Sequence, residues 1–249
     1  MLTEERKLLI LDVVNERKSA TVQELKDELG VSESTIRRDI TALGREGRLV
    51  KVFGGAVALE KQPSSEELSV LEKESVNRDE KLRIAQYAAS LIMPGDYVYL
   101  DSGTTTEYMT SFITEKKATY VTNAVSHAKD LVRKGLKVLL IGGELKENTE
   151  AIVGADAILH IQKYHFTKGF FGTNGVNMNL GFTTPDVREA LIKRVAIENT
   201  QVGQRYVLAD HDKFDKASAV TFADFGGAVV ITDKYPGDIY SKVVDIKIV

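Results

Sequence analysis

From Tyr97 onward the chain repeats one pattern: a short apolar run, a loop of small or polar residues, and then a longer stretch of helical period. The runs are Tyr97 to Leu100, Thr119 to Thr122, Lys137 to Ile141, Lys168 to Phe171, Arg205 to Leu208, Ala228 to Thr232 and Val243 to Val249. Helical stretches follow to about Glu115, over Ala124 to Lys134 and over Pro185 to Thr200. Short apolar runs joined by helical crossovers are the signature of parallel strands buried on both faces. The pattern predicts an α/β domain with a mostly parallel sheet covered on both sides.

The residues before this pattern read differently. Leu2 to Val14 is helical and rich in leucine, isoleucine and valine, so it is expected to pack beneath its neighbours. Thr21 and Glu24 make a capping-box pattern that opens a short helix through Leu29, with Gly30 and Val31 left for a tight turn. Ser32 then caps a second helix in which Ile36, Ile40 and Leu43 fall on one apolar face. Two short helices with such a turn describe a helix-turn-helix. Arg48 to Val52 alternates like a strand, Phe53-Gly-Gly turns, and Ala56 to Leu59 returns as a hairpin that reads as a wing.

On the polar side of the second helix stand Ser32, Ser34, Thr35, Arg37 and Arg38, and Arg45, Arg48 and Lys51 extend the positive edge along the wing. Arginine bonds guanine bidentately, while hydroxyls and cations hold phosphate oxygens, so these residues are the candidates for contact with double-stranded DNA. The alternative is a solvated helix whose Arg37 and Arg38 balance Asp39 and nearby glutamates. The formal net charge of −3 excludes a basic protein overall, so DNA binding demands a local basic surface.

Past Leu59 the chain turns polar around Pro63, which places a domain boundary there: residues 1–59 for the winged unit, 60–75 for a linker and 76–249 for the α/β unit. A helical pattern over Ser69 to Met93, stopped by Pro94-Gly95, leads into the second unit. Lys81 on it reads as part of a covering helix rather than as a ligand contact. No cysteine is present, so neither disulfides nor thiolate chemistry enter, and a charged N-terminus without a long apolar run leads us to expect a cytoplasmic protein that does not engage membranes.

In an open parallel sheet, ligands bind beyond the carboxyl ends of the strands. After the first strand come Asp101, Ser102, Gly103, Thr104, Thr105 and Thr106, where glycine lets backbone approach and the coming helix N-terminus favours an anion. Asn123, Gly142, Gly143, Thr173, Asn174, Asp210 and Lys213 follow later strands and are expected at the same rim. Neither a Walker A sequence nor a GxGxxG fingerprint is present, so no nucleotide or other cofactor is expected. His127, His160, His165 and His211 lack metal-ligand spacing, and most of them read as surface or satisfied polar residues. An ordinary strand-to-helix turn with threonine caps is the plain alternative for the first loop.

The stretch SESTIRRDITALGREGRLVKVFGGAV resembles the N-terminal signature of the DeoR family of bacterial transcriptional regulators, and the resemblance continues through most of the chain. It implies a winged helix-turn-helix that reads an operator, followed by an effector domain similar in fold to the sugar-phosphate isomerases and deaminases. By that resemblance Ser102 to Thr106 cradle the phosphate of a phosphorylated sugar, Asp101 and Asn123 meet its hydroxyls, and Lys213 adds charge. The enzymes of that fold carry carboxylates where this chain has Gly172-Thr173-Asn174-Gly175, and Thr and Asn cannot act as general bases near neutrality. The expected function is therefore an effector-controlled regulator, most simply a repressor of a sugar-utilisation operon, binding without turnover. The residues MLTEERKLLILDVVNERKSATVQELKDELGVSESTIRRDI look most like fructose-operon repressors of Gram-positive bacteria, which makes fructose 1-phosphate the first effector to try. A single helix-turn-helix makes few contacts, so a homodimer or homotetramer is expected. The rivals are a sugar-phosphate isomerase or deaminase, and a scaffold that uses its helix-turn-helix for protein contacts.

Overall fold

The computed structural model of the chain describes residues 2–58 and 75–249. It divides into two compact units, Met1–Lys61 and Gln62–Val249. The linker expected over 60–75 and the beginning of the helix expected from Ser69 fall largely on 59–74, outside the described residues.

In the first unit, α1 spans Thr3–Arg17, β1 Ser19–Thr21, α2 Val22–Leu29, α3 Glu33–Arg45, β2 Val50–Val52 and β3 Gly55–Val57. The capping box forms as its residues dictate: the Glu24 amide donates to Thr21 Oγ1 at 3.1 Å, and the Thr21 amide donates to the Glu24 carboxylate at 2.7 Å. Gly30 ends α2 at φ 63°, the left-handed conformation that a tight interhelical turn requires. Ile36, Ile40 and Leu43 are buried against Ile10, Val14 and Leu25, each contributing about 1.5–3 kcal/mol. In α1 the burial is confined to Ile10, Leu11, Val13 and Val14, while Leu8 and Leu9 face outward.

The wing has one strand more than the sequence suggests. β1 joins the hairpin in the order β1-β3-β2, with Ala20 opposite Ala56. Three residues, two of them polar, carry too little periodicity to register as a strand on their own. The pairing is close: a Cβ at position 55 would lie 2.3 Å from the Ala20 carbonyl oxygen, so glycine is required there.

The second unit is built on a seven-stranded parallel sheet. β4 (Tyr97–Leu100), β5 (Thr119–Thr122), β6 (Lys137–Leu140), β9 (Lys168–Gly172), β12 (Arg205–Leu208), β14 (Ala228–Thr232) and β15 (Asp245–Ile248) run in the order β15-β14-β12-β9-β4-β5-β6. Every pairing in it is parallel. One face packs Tyr99, Val121, Phe171, Val207 and Val230; the other packs Val98, Leu100, Tyr120, Phe170 and Ile231. Alternate residues of each strand go to opposite cores, as the pleat demands.

Helices α4 (Arg78–Ser90), α5 (Thr104–Phe112), α6 (Val125–Arg133), α7 (Ala155–Ile161), α8 (Val187–Glu198) and α9 (Asp238–Ser241) accompany the sheet. The described helix in the region expected from Ser69 begins at Arg78, preceded by Asn77 in the left-handed conformation. Two antiparallel additions escaped the sequence reading: the hairpin β7 (Glu144–Leu145) and β8 (Ile152–Val153), and a small sheet of β10 (Gly175–Asn177), β11 (Gly181–Thr184) and β13 (Val220–Ala223). Their strands are two to four residues long, too short for a period of two to show, and β13 finds its partner β11 about forty residues upstream. No described helix is long and apolar enough to cross a membrane.

Candidate nucleic-acid interface and effector cleft

The exposed side of α3 begins with a hydroxyl cluster, in which Ser32 Oγ lies 2.9 Å from Ser34 Oγ and 2.8 Å from Thr35 Oγ1. Arg37 and Arg38 project into solvent on the following turn. Arg37 pairs with Glu33 at 2.6 Å, an exposed pair one helical turn apart that is worth little and yields readily to a stronger acceptor. Among the described residues Arg38 meets no carboxylate. Asp39, which the charge-balancing alternative set against these arginines, is buried instead and takes Arg6 of α1 at 2.6 Å. That contact takes Asp39 off the exposed face and leaves Glu33 as the acid beside Arg37. Lys51 of the wing donates to Thr41 Oγ1 at 2.9 Å, and Thr41 donates to the Arg37 carbonyl, so wing and helix share one surface. Arg45 and Arg48 are exposed at its edge, Arg48 lying 3.8 Å from Glu46.

In the second unit a cavity of about 90 Å³ opens where β4 and β9 end. Ser102, Gly103, Thr104 and Thr105 form one wall, Gly172, Thr173 and Asn174 the facing one, and Lys81, Lys193 and Lys213 reach it from three directions. Thr104 opens α5, and the first-turn amides of a helix have no intrahelical acceptor, so this wall offers backbone donors as well as hydroxyls. Val76, Thr149 and Glu189 complete the lining.

Beneath the cavity lies an ion pair. Lys193 Nζ binds Asp101 Oδ2 and donates to the Gly172 carbonyl at 3.1 Å; the Gly172 amide donates to the same Asp101 oxygen at 2.9 Å. Asp101 Oδ1 is buried and has no partner among the described residues. A second cationic anchor holds the β7–β8 hairpin: Lys146 lies 2.9 Å from Asp186 and 3.1 Å from Glu189, whose Oε1 also accepts from Thr149 at 2.8 Å. Burial alone would raise the Asp186 pKa, yet the hydrogen bonds from Lys146 and Arg188 outweigh it and bring the carboxyl to about 2.

The expected effector residues divide. Ser102, Gly103, Thr104, Thr105, Thr173, Asn174 and Lys213 line the cavity. Asp101 sits under it, bound to Lys193. Thr106 turns inward, its hydroxyl donating to main-chain oxygens of Asp101 and Gly103. Asn123 is buried, accepting from Tyr99 Oη at 3.0 Å and donating to Ser102 Oγ at 3.3 Å, so it braces the wall from behind. Asp210 accepts from Asn77 Nδ2 at 3.0 Å and is likewise buried. Gly142 and Gly143 do not line the cavity: the Gly142 amide donates to His160 Nδ1, and Gly143 is pressed on the Val153 carbonyl, where a Cβ would come within 2.7 Å. Gly143 serves a close chain crossing.

Sequence reasoning missed Lys193, Glu189, Thr149 and Lys146, and assigned Lys81 to cover. The signal for two of them was present. Lys193 stands three residues after Ala190 and three before Ala196, on the buried stripe of α8, and Glu189 is one turn earlier. Charges in register with alanines on a helix facing a core require partners. His127 is the exception among the histidines. It is buried on α6 rather than on the surface or satisfied, its Nδ1 has no partner among the described residues, and burial pushes its pKa down to about 3.

Both units match known families. The model described as DeoR-like helix-turn-helix domain matches residues 6–62, and that described as DeoR C terminal sensor domain matches residues 76–234. The chain belongs to the DeoR family. A full-length relative is the Bacillus subtilis (strain 168) protein called uncharacterized HTH-type transcriptional regulator FruR, 43% identical, with 100% of this chain and 99% of that protein covered. The Bacillus subtilis HTH-type transcriptional regulator IolR is 33% identical over 88% of this chain and 86% of its own. The lactose phosphotransferase system repressor of Staphylococcus aureus (strain N315) is 33% identical, covering 96% and 94%. Among solved structures, the sorbitol operon regulator SorC from Klebsiella pneumoniae aligns over 92% of this chain and 96% of its own at 10% identity and TM-score 0.42. Ribose 5-phosphate isomerase from Plasmodium falciparum aligns over 54% and 52% at 12% identity and TM-score 0.40. The DeoR-family chain is thus a transcriptional regulator with a DNA-binding winged helix-turn-helix and an α/β sensor domain.

Proposed function

We propose that this regulator represses a sugar-utilisation operon and is released from its operator by a phosphorylated sugar bound in the cleft at the ends of β4 and β9. The observation that carries the reading is the convergence of three lysines, Lys81, Lys193 and Lys213, on a wall of hydroxyls and helix-terminal amides. That combination suits a dianionic phosphate, while the Asn174 amide suits a sugar hydroxyl; the Thr173 hydroxyl donates to the Gly175 and Thr183 carbonyls and shapes the wall from within. The names of the relatives, a lactose phosphotransferase system repressor and FruR, support a sugar-linked role, and fructose 1-phosphate is the first effector to test.

Binding without turnover is part of this reading. Thr173 and Asn174 lie in the facing wall, and the carboxylates nearby are engaged: Asp101 by Lys193, Glu189 by Lys146 and Thr149. On the DNA side, Arg37 and Arg38 read bases or hold phosphates from α3, with Ser32, Ser34, Thr35, Arg45, Arg48 and Lys51 placing the unit on the backbone.

The experiment is fluorescence anisotropy of a labelled fragment from upstream of the protein's own operon, titrated at several salt concentrations with and without a panel of sugar phosphates. Tight binding that weakens with salt and is relieved by one sugar phosphate supports the reading and names the effector. Specific binding indifferent to the whole panel would remove the effector assignment, and turnover of any panel member would favour an enzyme.

A further inference from the structure

At the tip of the wing Phe53 is fully exposed, at 108% of its reference area, and Val50 and Val52 beside it are exposed at 45% and 41%. The tip is held firmly. Gly54 turns the chain at φ 83°, its carbonyl accepts from the Val22 amide at 2.9 Å, and Gly55 is pressed on the Ala20 carbonyl. Phe53 is therefore held out on a fixed turn, and much of the entropy cost of placing it against a partner is already met by the fold.

The surroundings state what kind of partner. Lys51 precedes Phe53 by two residues and is bonded to Thr41, which is bonded to the Arg37 carbonyl, so the wing is tied to the exposed side of α3. With α3 in a major groove, a hairpin fastened along its flank meets the neighbouring backbone, where Lys51 and Arg48 match the phosphates in charge. An apolar side chain advanced past those cations faces the minor groove. There guanine alone carries a protruding 2-amino group, so the floor is smoothest and most receptive to an aromatic ring at A·T pairs.

We propose that Phe53 enters the minor groove flanking the segment read by α3 and makes the wing selective for A·T pairs at that position. The proposal rests on the operator-binding reading and adds a specificity determinant that carries no charge. It differs from a phosphate contact in one measurable respect: an uncharged wedge contributes affinity without releasing counterions.

The test uses the full-length protein and a labelled operator fragment found by the titration above. Phe53→Ala should weaken binding by about tenfold at every salt concentration and leave the slope of log affinity against log salt unchanged. Lys51→Ala should lower that slope. Replacing adenine by 2,6-diaminopurine in the flanking segment adds a 2-amino group to the minor groove and keeps the major-groove pattern; it should weaken the parent and leave Phe53→Ala indifferent. Phe53→Leu, which keeps an apolar tip, should retain most of the affinity, and because nothing in the fold covers Phe53, equal thermal stability is expected for both variants. Parent-like affinity of Phe53→Ala, or equal sensitivity of parent and variant to diaminopurine, would overturn the wedge while leaving operator binding intact. A change in oligomeric state with unchanged DNA affinity would reassign the tip to contacts between copies. Absence of specific binding by the parent would remove both readings together.

Discussion

Thr105 and Lys193 show how differently two residues of one cleft contribute. Thr105 lines the hydroxyl-bearing wall of the cavity, whereas Lys193 both reaches the cavity and neutralises a buried aspartate. Thr105→Val is expected to abolish the response to sugar phosphate while ligand-free operator affinity stays at the parent value; a normal dose response in anisotropy would exclude the cradle. Lys193→Met leaves Asp101 buried without its cation, and the expected loss is about 3–5 kcal/mol, because breaking a buried pair exposes its desolvation cost. Adding Asp101→Asn should recover most of it in chemical denaturation.

His127 gives the residue scale its pH dependence. Its pKa falls to about 3 in the fold because burial penalises the imidazolium, against an unperturbed value of about 6.5. The unfolded chain therefore binds the extra proton first as pH drops. The stability associated with neutral His127 is fully present above about pH 6.5 and is lost at up to about 1.4 kcal/mol per pH unit as pH falls toward 3. His127→Leu should flatten this slope by one proton in urea titrations between those limits, and parallel parent and variant curves would exclude it as the titrating group.

At the scale of elements, the helix-turn-helix was legible because each of its decisions is local. The side chains of Thr21, Glu24 and Ser32 fix helix starts by accepting from amides three residues away, Gly30 fixes a stop through its own φ, and Ile36, Ile40 and Leu43 mark a face by period alone. Thr21→Ala should cost about 1 kcal/mol, and Ile40→Ala about 2–5 kcal/mol, read from hydrogen exchange of the Glu33–Arg45 amides. The β7–β8 hairpin was not legible. Its two strands hold two residues each, and Lys146 secures it to Asp186 and Glu189 some forty residues downstream. Lys193 was missed for a related reason, since its partner Asp101 is 92 residues away.

For the whole molecule, the effector can shift operator affinity only by the difference in its own affinity for the two arrangements of the protein. Such couplings typically reach about 1–3 kcal/mol, which is about 5–150-fold, and they are reciprocal. Operator DNA should therefore weaken sugar-phosphate binding by the same factor that the sugar phosphate weakens operator binding, as calorimetry with and without the fragment would show; unequal factors would exclude simple linkage. A homodimer or homotetramer is the expected reading unit, with protected half-sites about 34 Å or a multiple apart on one face of the duplex. Footprinting together with light scattering would check both.

The sequence by itself determined the two-part organisation, the helix-turn-helix, the seven strands of the parallel sheet, and the loop of hydroxyls after the first of them. Those features depend on period, capping and turn chemistry, which act between neighbours in the chain. The tertiary structure decided which loops meet. It drew Gly142, Gly143, Asn123 and Thr106 into support of the fold, brought Lys81, Lys193 and Glu189 to the cavity, turned Asp39 inward to Arg6, and left Phe53 bare at the wing tip. A charge or an aromatic ring acquires its role from what stands opposite it, and only folding sets that partner in place.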